Sequence, residues 1–252
     1  MPEMEVSLYP SRHLLIDADA LLWKWVEQNQ EEIWWPGSED ERTAACNVRQ
    51  AADDVGQEIQ LLKELAGATT VSAIFGPLKK RNFRNKLWPA YKMHRRRADS
   101  PVGLAMVKKI VLSDWGTSAQ VAPEELEADD VLGQLMTWPE NLDMRILWSP
   151  DKDMKQIPGY HMDDAGAITQ VTETQGDYWH MYQTLVGDTS DGYPGCPGIG
   201  PVKAEKVLGM PPNWQDVVGA YKAAKLTEAD ALVQARVARI LRHGEKPGEW
   251  TP

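Results

Sequence analysis

Acidic residues that could bind metal ions or carry protons occur in four close groups along this chain. The groups are Asp17 with Asp19, Glu127 with Asp129 and Asp130, Asp151 with Asp153, and Asp188 with Asp191. Each group alone has an ordinary structural explanation, because acids favour the first turn of a helix and aspartates are common in glycine-rich turns. Their chemical meaning depends on whether the fold brings them together.

A convergent set of these carboxylates would require cations. Two carboxylates about 4 Å apart repel each other by roughly 4 kcal/mol at an effective dielectric constant of about 20. Oxygen ligands without histidine or cysteine partners favour Mg²⁺ or Mn²⁺ over zinc. Two such ions, typically about 3.5–4 Å apart, suit in-line attack on a phosphate, since one generates hydroxide and the other stabilises the leaving oxygen. A convergent cluster would therefore indicate phosphate-ester hydrolysis.

The charge distribution indicates a polyanionic partner, although the net charge of the chain is −10. No acid occurs between Glu64 and Asp99, whereas this interval holds nine of the 27 basic residues. The nine are Lys79, Lys80, Arg81, Arg84, Lys86, Lys92, Arg95, Arg96 and Arg97, and they interleave with Phe83, Trp88 and Tyr91. Such a composition is typical of segments that hold single-stranded nucleic acid through charge and base stacking. The alternative is a solvated basic face.

A second phosphate-binding pattern is the glycine-rich segment from Gly195 to Lys203. Glycines permit a tight hairpin with exposed backbone N–H groups, and Pro201 suits the first turn of a following helix. The N-terminus of a helix attracts phosphate, and Lys203 adds a positive charge. The pattern predicts a helix-hairpin-helix element that grips a duplex backbone without reading bases. A plain Gly/Pro loop is the alternative.

Short apolar runs alternate with helical patterns, which predicts an α/β fold with a mainly parallel central sheet flanked by helices. The predicted strands are His13–Ile16, Thr70–Phe75, Met144–Trp148 and Ala167–Val171. The predicted helices are Ala44–Leu65, Val102–Leu112, Leu126–Met136 and Thr227–Arg242, the last capped by Thr227 with Asp230 and stopped at Gly244. Residues 27–42 are expected to form an irregular connection. Asp17 and Asp151 follow predicted strands, at the sheet edge where parallel folds gather functional groups.

The length of 252 residues, with 42% hydrophobic content, suits one domain with a small appended part. We predict a single domain over residues 1–252, with a metal-binding core at about 13–180, a basic gateway segment at 79–112, and hairpin and C-terminal helices at about 183–242. Cys46 and Cys196 form no zinc-site pattern, and no apolar run approaches the roughly 20 residues of a membrane helix. We therefore expect a soluble, cytoplasmic monomer.

Five segments, in matching order, resemble motifs of the 5′ nuclease family, which includes bacteriophage 5′ exonucleases, flap endonucleases and the amino-terminal domain of bacterial DNA polymerase I. The segments are LLIDADALLW, NFRNKLWPAYKMHRR, ELEADDVLG, SPDKDMKQI and LVGDTSDGYPGCPGIGPVKAEKVL. The resemblance spans about Leu14 to Leu208. It implies a PIN-like 5′ nuclease core and structure-dependent 5′ to 3′ exonuclease or flap endonuclease activity with two Mg²⁺ or Mn²⁺ ions. A phage-encoded member would act in the host cytoplasm.

The resemblance also implies roles for individual residues. Asp17, Glu127 and Asp129 would hold one metal ion, Asp151, Asp153, Asp188 and Asp191 would surround the second, and Asp130 would support both. Lys92, Arg97, Arg84 and Arg95 would contact the scissile phosphate or line the gateway for the 5′ strand, with Tyr91 as a stacking face. The other implied DNA contacts are Lys79, Lys80, Arg81, Lys86, Arg96, Gly198, Gly200 and Lys203. Backbone carbonyls around Gly198 and Gly200 would bind K⁺.

The implied partners are DNA molecules with 5′ ends, flaps or single-strand/duplex junctions. RNA–DNA hybrids such as primers remain open as substrates. The choice among them depends on how the segment from Arg95 to Val111 folds over the strand, which composition does not specify.

One position departs from the family pattern. The family usually carries a metal-binding aspartate just after the second strand, where this chain has Gly76 and Pro77. Asp19 is also unusual, because a neutral residue more often stands two positions after the first aspartate. We hypothesise that Asp19 partly replaces the missing carboxylate. The alternative is a protein of the same fold that binds DNA structures with a weakened or inactive site.

A third interpretation is a small-molecule phosphatase of the haloacid dehalogenase type. Asp17 and Asp19 after a strand, and the GDTSD sequence at 187–191, suggest it. However, Ala20 and Leu21 stand where that class normally has Gly-Thr or similar residues. Such a phosphatase also has no use for the basic aromatic segment or the glycine hairpin.

Overall fold

The computed structural model describes residues 11–34, 42–77, 81–93, 100–139 and 144–252. Within these ranges the strands are β1 Arg12–Asp17, β2 Gln30–Trp34, β3 Arg42–Cys46, β4 Thr70–Phe75, β5 Ala119–Val121, β6 Met144–Trp148, β7 Gly159–Met162 and β8 Ile168–Val171. Six of them form one sheet in the order β5-β4-β1-β6-β7-β8. All neighbours run parallel except β7 and β8. The predicted mainly parallel sheet is confirmed.

Nine helices accompany the strands in the described ranges. They are α1 Ala18–Gln28, α2 Val48–Leu65, α3 Arg84–Leu87, α4 Leu104–Trp115, α5 Ala128–Met136, α6 Glu173–Val186, α7 Pro201–Val207, α8 Trp214–Ala223 and α9 Glu228–Ala238. A short 3₁₀ helix, Lys152–Gln156, follows β6. The sequence patterns predicted the central parts of α2, α4, α5 and α9, but not α1, α6 or α8.

The central sheet buries both of its faces. Successive side chains of a strand point to opposite faces, so Leu14 and Ile16 of β1 pack beneath α1, α2 and α4. Leu15 between them packs on the other face with Leu132 of α5 and Leu147 of β6. Continuous apolar strands are typical of a parallel sheet covered on both sides. This arrangement leaves only the strand ends open, and the carboxyl ends carry the acidic residues.

Two predicted boundaries near the first large helix are wrong. Helix α2 begins at Val48 rather than Ala44, because Ala44 to Cys46 belong to β3, which pairs antiparallel with β2. The side chain of Asn47 accepts a hydrogen bond from the Gln50 N–H and so caps the helix start. The connection expected to be irregular contains β2 and the first residue of β3, while residues 35–41 lie outside the described ranges.

Helices α6 to α9 pack around a second core, whose buried members include Leu185, Val217, Tyr221 and Ala235. The predicted Thr227 cap of α9 is confirmed, since Thr227 and Asp230 form a reciprocal capping box. The predicted end is wrong, because α9 stops at Ala238 instead of continuing to Arg242 and Gly244. The following residues cross α5 so closely that a Cβ atom on Gly133 would lie 2.4 Å from the Leu241 oxygen.

The predicted division of the domain near residue 180 stays a prediction. Helix α6 runs across this position without interruption, and its first turns pack on the 3₁₀ helix of the α/β core. A Cβ atom on Gly176 would lie 2.6 Å from the Gln156 oxygen, so glycine permits this close approach. The two cores are therefore joined through a continuous helix.

Candidate active site

Acidic residues from separate parts of the chain meet at the carboxyl edge of the sheet. Asp17 ends β1, Gly76 follows β4 and Asp151 follows β6, while Glu127 and Asp129 stand at the start of α5. Because β4, β1 and β6 are neighbouring parallel strands, their ends face one cleft. The cleft has a cavity volume of about 390 Å³ and is lined by Asp17, Asp19, Gly76, Lys92, Glu127, Asp129 and Asp151, among others.

The carboxylates in this cleft disfavour one another's charged forms. Burial raises the pKa of Asp17 to about 6, and the nearby charges of Asp19 and Asp151 add to this, against a hydrogen bond from Ser149 Oγ at 2.9 Å. Burial, together with the charges of Asp17 and Glu127, raises the pKa of Asp129 well above its usual value. A cation among these oxygens would relieve both penalties.

Glu127 differs from its neighbours because it is already paired. Lys92 Nζ donates to both of its carboxylate oxygens at 2.9 Å, and the Tyr91 hydroxyl donates to Oε2 at 2.8 Å. Burial alone would raise the pKa of Glu127, but the charges of Lys92 and Arg84 outweigh burial and lower it to about 2. Glu127 is therefore charged at neutral pH.

The other acidic residues form a second group beside the cleft. Burial raises the pKa of Asp153 to about 7, with further contributions from the charges of Asp151 and Asp188. Asp153 Oδ1 is enclosed and has no hydrogen-bond partner in the described structure. Asp188 Oδ1 accepts hydrogen bonds from Ser190 and from the Asp191 N–H, while Lys152 Nζ lies 3.3 Å from Oδ2.

This oxygen-only set fits hard divalent cations. The raised pKa values of Asp17, Asp129 and Asp153 and the unpartnered Asp153 oxygen show where positive charge would stabilise the protein most. As the side chains stand, however, no three of them in the described ranges are close enough to hold one ion. The division into two metal sites therefore stays a prediction.

Lys92, a few residues after α3, connects the two acidic groups. Lys92 Nζ lies 3.5 Å from Asp191 as well as contacting Glu127, and the Lys92 N–H donates to the Asp191 backbone oxygen at 2.7 Å. Lys92 adopts the left-handed backbone region with φ 50°, which is uncommon for a residue other than glycine. Its ammonium group thus lies between the predicted ligands of both metal sites.

Asp130 and Arg84 are buried beneath the cleft and form an ion pair with each other. Asp130 is fully buried, and its two oxygens accept hydrogen bonds from Arg84 at 2.7 and 2.8 Å and from the Glu127 and Leu241 N–H groups. Arg84 is 2% exposed, and its remaining N–H groups donate to the Val237 and Arg239 oxygens. Neither side chain lines the cleft, and Asp130 acts on it through the Glu127 N–H. Support of the metal sites by Asp130 and phosphate contact by Arg84 stay predictions.

Two of the three aromatic residues in this basic segment are buried. Tyr91 is 3% exposed and Phe83 is 4% exposed, so neither ring offers a face to a ligand. Tyr91 packs instead with Tyr193, Val237 and Ala238. Tyr91 therefore anchors this segment to the C-terminal part of the chain, and half-buried Trp88 packs against the same cluster and donates to the Gly192 oxygen. The predicted base-stacking role stays a prediction.

Asp19 lies beside Gly76, as the hypothesis about the missing carboxylate requires. Asp19 Oδ2 accepts a hydrogen bond from the Gly76 N–H at 2.9 Å, and a Cβ atom on residue 76 would lie 2.6 Å from this oxygen. The Asp19 carboxylate thus fills the space in which a side chain at position 76 would begin. Glycine at 76 is the residue that leaves room for it.

Lys108 is a site residue that the sequence analysis missed. It is buried on α4, where its Nζ lies 3.3 Å from Asp19 Oδ1 and donates to the Gly76 oxygen. The available signal was its position among Leu104, Val107 and Val111, which places a lysine on the apolar stripe of the helix. A buried lysine requires an acidic or polar partner, and Asp19 provides it.

Among the other predicted DNA contacts, Arg81 and Lys86 are exposed and lie near Glu124 and Glu125. Lys79, Lys80, Arg95, Arg96 and Arg97 lie outside the described residues. A basic surface around the cleft accordingly stays a prediction.

Helices α6 and α7 are joined by the predicted glycine-rich loop. Pro201 is the first residue of α7, as predicted, and Gly198 adopts φ 74°, a left-handed conformation that favours glycine. Lys203 Nζ donates to the Gly198 oxygen at 2.9 Å, which is one of the carbonyls assigned to K⁺. The helix-hairpin-helix and K⁺ assignments stay predictions, and an ion there would share this carbonyl with Lys203.

Comparison with known proteins gives consistent matches. The family model for the 5′-3′ exonuclease, N-terminal resolvase-like domain, matches residues 12–179. The exonuclease of Escherichia phage T7 is 28% identical over 92% of this chain and 89% of that protein. Thermostable DNA polymerase I of Thermus aquaticus is 31% identical over 73% of this chain but only 22% of its own length.

Solved structures share the fold. T5 5′-exonuclease with bound divalent zinc ions has a TM-score of 0.64 and 15% sequence identity, over 90% of this chain and 89% of that one. The bacteriophage T5 flap endonuclease in a pseudo-enzyme-product complex with DNA and metal ions has a TM-score of 0.59 at 15% identity. No helix in the described part of the chain is long and apolar enough to cross a membrane.

Asp130→Asn should destabilise the metal-free protein by about 3–5 kcal/mol, because it leaves Arg84 buried without a full countercharge. Asp129→Asn on the same helix turn is the matched control. It should leave stability unchanged or increase it, since it removes a charge that Asp17 and Glu127 repel. Thermal unfolding in chelator measures both, and equal destabilisation by the two variants would contradict the structural role of Asp130.

Mn²⁺ affinity should rise with pH through the raised pKa values of Asp17 and Asp153, by up to roughly tenfold per pH unit for each proton displaced. Because these pKa values lie above those of the unfolded chain, stability of the metal-free protein should fall as pH rises from about 4 to about 7. Calorimetric titration with Mn²⁺ measures the affinity. Asp153→Asn should flatten the dependence of Mn²⁺ affinity on pH near pH 7, whereas Asp216→Asn, on the exposed surface, should leave that dependence unchanged. An unchanged pH dependence in Asp153→Asn would refute the raised pKa assigned to Asp153.

Proposed function

This chain belongs to the 5′–3′ exonuclease family, and from that premise we propose that it hydrolyses DNA phosphodiester bonds at 5′ ends, flaps or junctions with two Mg²⁺ or Mn²⁺ ions. The observation that carries the proposal is the meeting of Asp17, Asp129 and Asp151 at one sheet edge, where burial and mutual repulsion raise the pKa values of the first two. The family match leaves the phosphatase interpretation without support.

In the proposed arrangement, Asp17, Asp19, Glu127 and Asp129 face one ion, and Asp151, Asp153, Asp188 and Asp191 face the other. When bound, such ions supply a hydroxide nucleophile and stabilise the leaving oxygen. The protein's part is to hold the oxygens in place: Ser149 fixes Asp17, the Ser190 hydroxyl and N–H fix Asp188, and the Asp151 side chain accepts from the Asp153 N–H.

Lys92 is the proposed phosphate contact. Its ammonium group lies between Glu127 and Asp191, so a phosphate bound in the cleft would lie beside a cation already in place. A fixed donor that neutralises the charge developing on the phosphate lowers the barrier without reorganisation at the moment of reaction. Arg81, Lys86 and Lys203, with the basic residues outside the described ranges, would contact the DNA backbone.

The relatives' names support the substrate class. The T7 phage protein is called an exonuclease, and a fold neighbour is a flap endonuclease in complex with DNA. Cleavage of RNA–DNA hybrids, a monomeric state and action in the cytoplasm remain predictions for this chain.

A second candidate function is binding of DNA structures with a weakened active site. The contact of Lys108 with Asp19 favours it, because the ammonium group offsets part of the negative charge that would attract the first ion. Under this hypothesis DNA would bind equally well in chelator and would not be cut.

Cleavage of a 5′-labelled flapped duplex, compared with a blunt duplex of the same sequence, tests the proposed function. The assay is run in Mg²⁺, Mn²⁺ and chelator, with Asp151→Asn as the inactive control. Metal-dependent product release that the control abolishes is expected, and the product length distinguishes cutting at the end from cutting at the junction. Tight binding without product in either metal would favour the second candidate.

Asp19→Asn should reduce Mn²⁺ affinity and turnover by roughly tenfold or more if Asp19 supplies the carboxylate missing at position 76. Gly76→Asp alone should also impair the protein, because its Cβ would collide with the Asp19 carboxylate. The double variant Asp19→Ala with Gly76→Asp should recover part of both properties, since it moves the carboxylate to the other strand end. Calorimetry measures the Mn²⁺ affinity and the flap assay measures the turnover. Unchanged Mn²⁺ binding in Asp19→Asn would show that Asp19 does not replace the carboxylate missing at position 76.

A further inference from the structure

A second groove adjoins the acidic cleft on the side of β7 and β8. Its cavity volume is about 620 Å³, and it extends along the 3₁₀ helix and α6 to Met210. Pro150 and Asp151 line both the cleft and the groove. A DNA strand that crosses the acidic cleft can therefore continue into this groove along the protein surface.

Aromatic side chains of α6 form one wall of the groove. Tyr178 and Trp179 both line it, and the Trp179 ring lies nearly parallel to the Tyr182 ring, with centroids 5.1 Å apart and planes at 13°. Lys155 Nζ lies 5.0 Å from the centre of the Trp179 ring. Aromatic faces combined with ammonium groups bind bases by stacking and phosphates by charge.

The charge balance of the groove favours unpaired nucleotides over a duplex. Lys152 and Lys155 are offset by Asp151 and Asp163, so the groove offers no net positive field to a simple polyanion. Asp163 Oδ1 is occupied by the N–H groups of its own turn. Stacking must then supply much of the affinity, and only unpaired bases expose their faces, because duplex bases are already stacked on one another.

We propose that this groove binds the unpaired nucleotides that adjoin the bond held at the acidic cleft. Bases would contact Tyr178 beside the Trp179 ring, which itself packs on Tyr182 and beneath Lys155, and phosphates would lie near exposed Lys155. The inference rests on the proposed nuclease function for the identity of the strand. Unpaired nucleotides of a 5′ extension and of a 3′ extension both present free base faces and phosphates. The experiment below distinguishes these two sources.

The test measures binding in chelator, where cleavage does not interfere. Three labelled DNAs share one duplex: one blunt, one with a 5′ single-stranded extension and one with a 3′ extension. The variants are Tyr178→Ala and Lys155→Glu. Tyr160→Ala is the matched aromatic control, since exposed Tyr160 alternates on β7 with the groove residue His161. Lys246→Glu is the charge control, because the Lys246 side chain is exposed and lies outside both the groove and the predicted gateway segment.

Each groove variant should weaken binding of an extended DNA by roughly tenfold and leave blunt-duplex binding unchanged. The extension that loses affinity identifies the strand that occupies the groove. Lys155→Glu should also reduce the salt dependence of binding, because a phosphate contact is lost. Lys155 is exposed, so this variant tests the proposal even if Tyr178→Ala lowers stability.

Three outcomes would overturn the proposal: equal losses on blunt and extended DNA, no loss in either groove variant, or the same loss in the two controls. The nuclease function is judged separately by cleavage with the wild-type protein in Mg²⁺ or Mn²⁺. If the wild-type protein cleaves DNA but the groove variants bind extended DNA normally, only the groove proposal is refuted. If the groove variants lose binding of extended DNA but the wild-type protein does not cleave, only the nuclease proposal is refuted.

Discussion

Repulsion among carboxylates at the carboxyl edge of the sheet is the constraint on which the rest of this structure depends. The parallel order of β4, β1 and β6 brings Asp17, Asp151 and the residue-76 position to one cleft, and α5 adds Glu127 and Asp129. Such a cluster is unfavourable unless positive charge accompanies it. Part of that charge comes from the protein itself: Lys92 pairs with Glu127, Lys108 with Asp19 and Arg84 with Asp130. The pKa values of Asp17, Asp129 and Asp153 are raised, which shows that these internal cations do not offset the burial and mutual repulsion of these three carboxylates.

The internal cations also connect the cleft to the remainder of the fold. Arg84 joins α3 and α5 to the end of α9, because its guanidinium contacts Asp130 together with the oxygens of Val237, in α9, and Arg239, just after it. Tyr91 joins Glu127 to the loop that contains Asp191. Breaking such buried pairs leaves an uncompensated charge, so the geometry of the cleft and the packing of the C-terminal helices depend on one another.

Sequence reasoning found β1, β4 and β6, together with the aspartates that end β1 and follow β6, because buried parallel strands are continuous apolar runs. It did not predict that Asp130, Arg84 and Tyr91 are buried, since a composition that suits DNA binding also suits buried ion pairs and anchoring rings. It missed Lys108 because a lysine on an apolar helix stripe has no visible partner until Asp19 and Gly76 are brought together in space. The β2–β3 hairpin and α6 were missed because their residues carry weak periodicity, and packing on the sheet and on the second core decides their structure.

We propose that the carboxylates of the cleft and of the group beside it bind two cations, with Asp19 completing the first site. Anomalous diffraction from crystals of the protein grown with Mn²⁺ would locate both ions. Two peaks are expected, with an oxygen of Asp19 at or near the first ion. One peak should lie among Asp17, Asp19, Glu127 and Asp129, and the other among Asp151, Asp153, Asp188 and Asp191. A single peak in the second group, with Asp19 still held by Lys108 and the Gly76 N–H, would contradict this proposal.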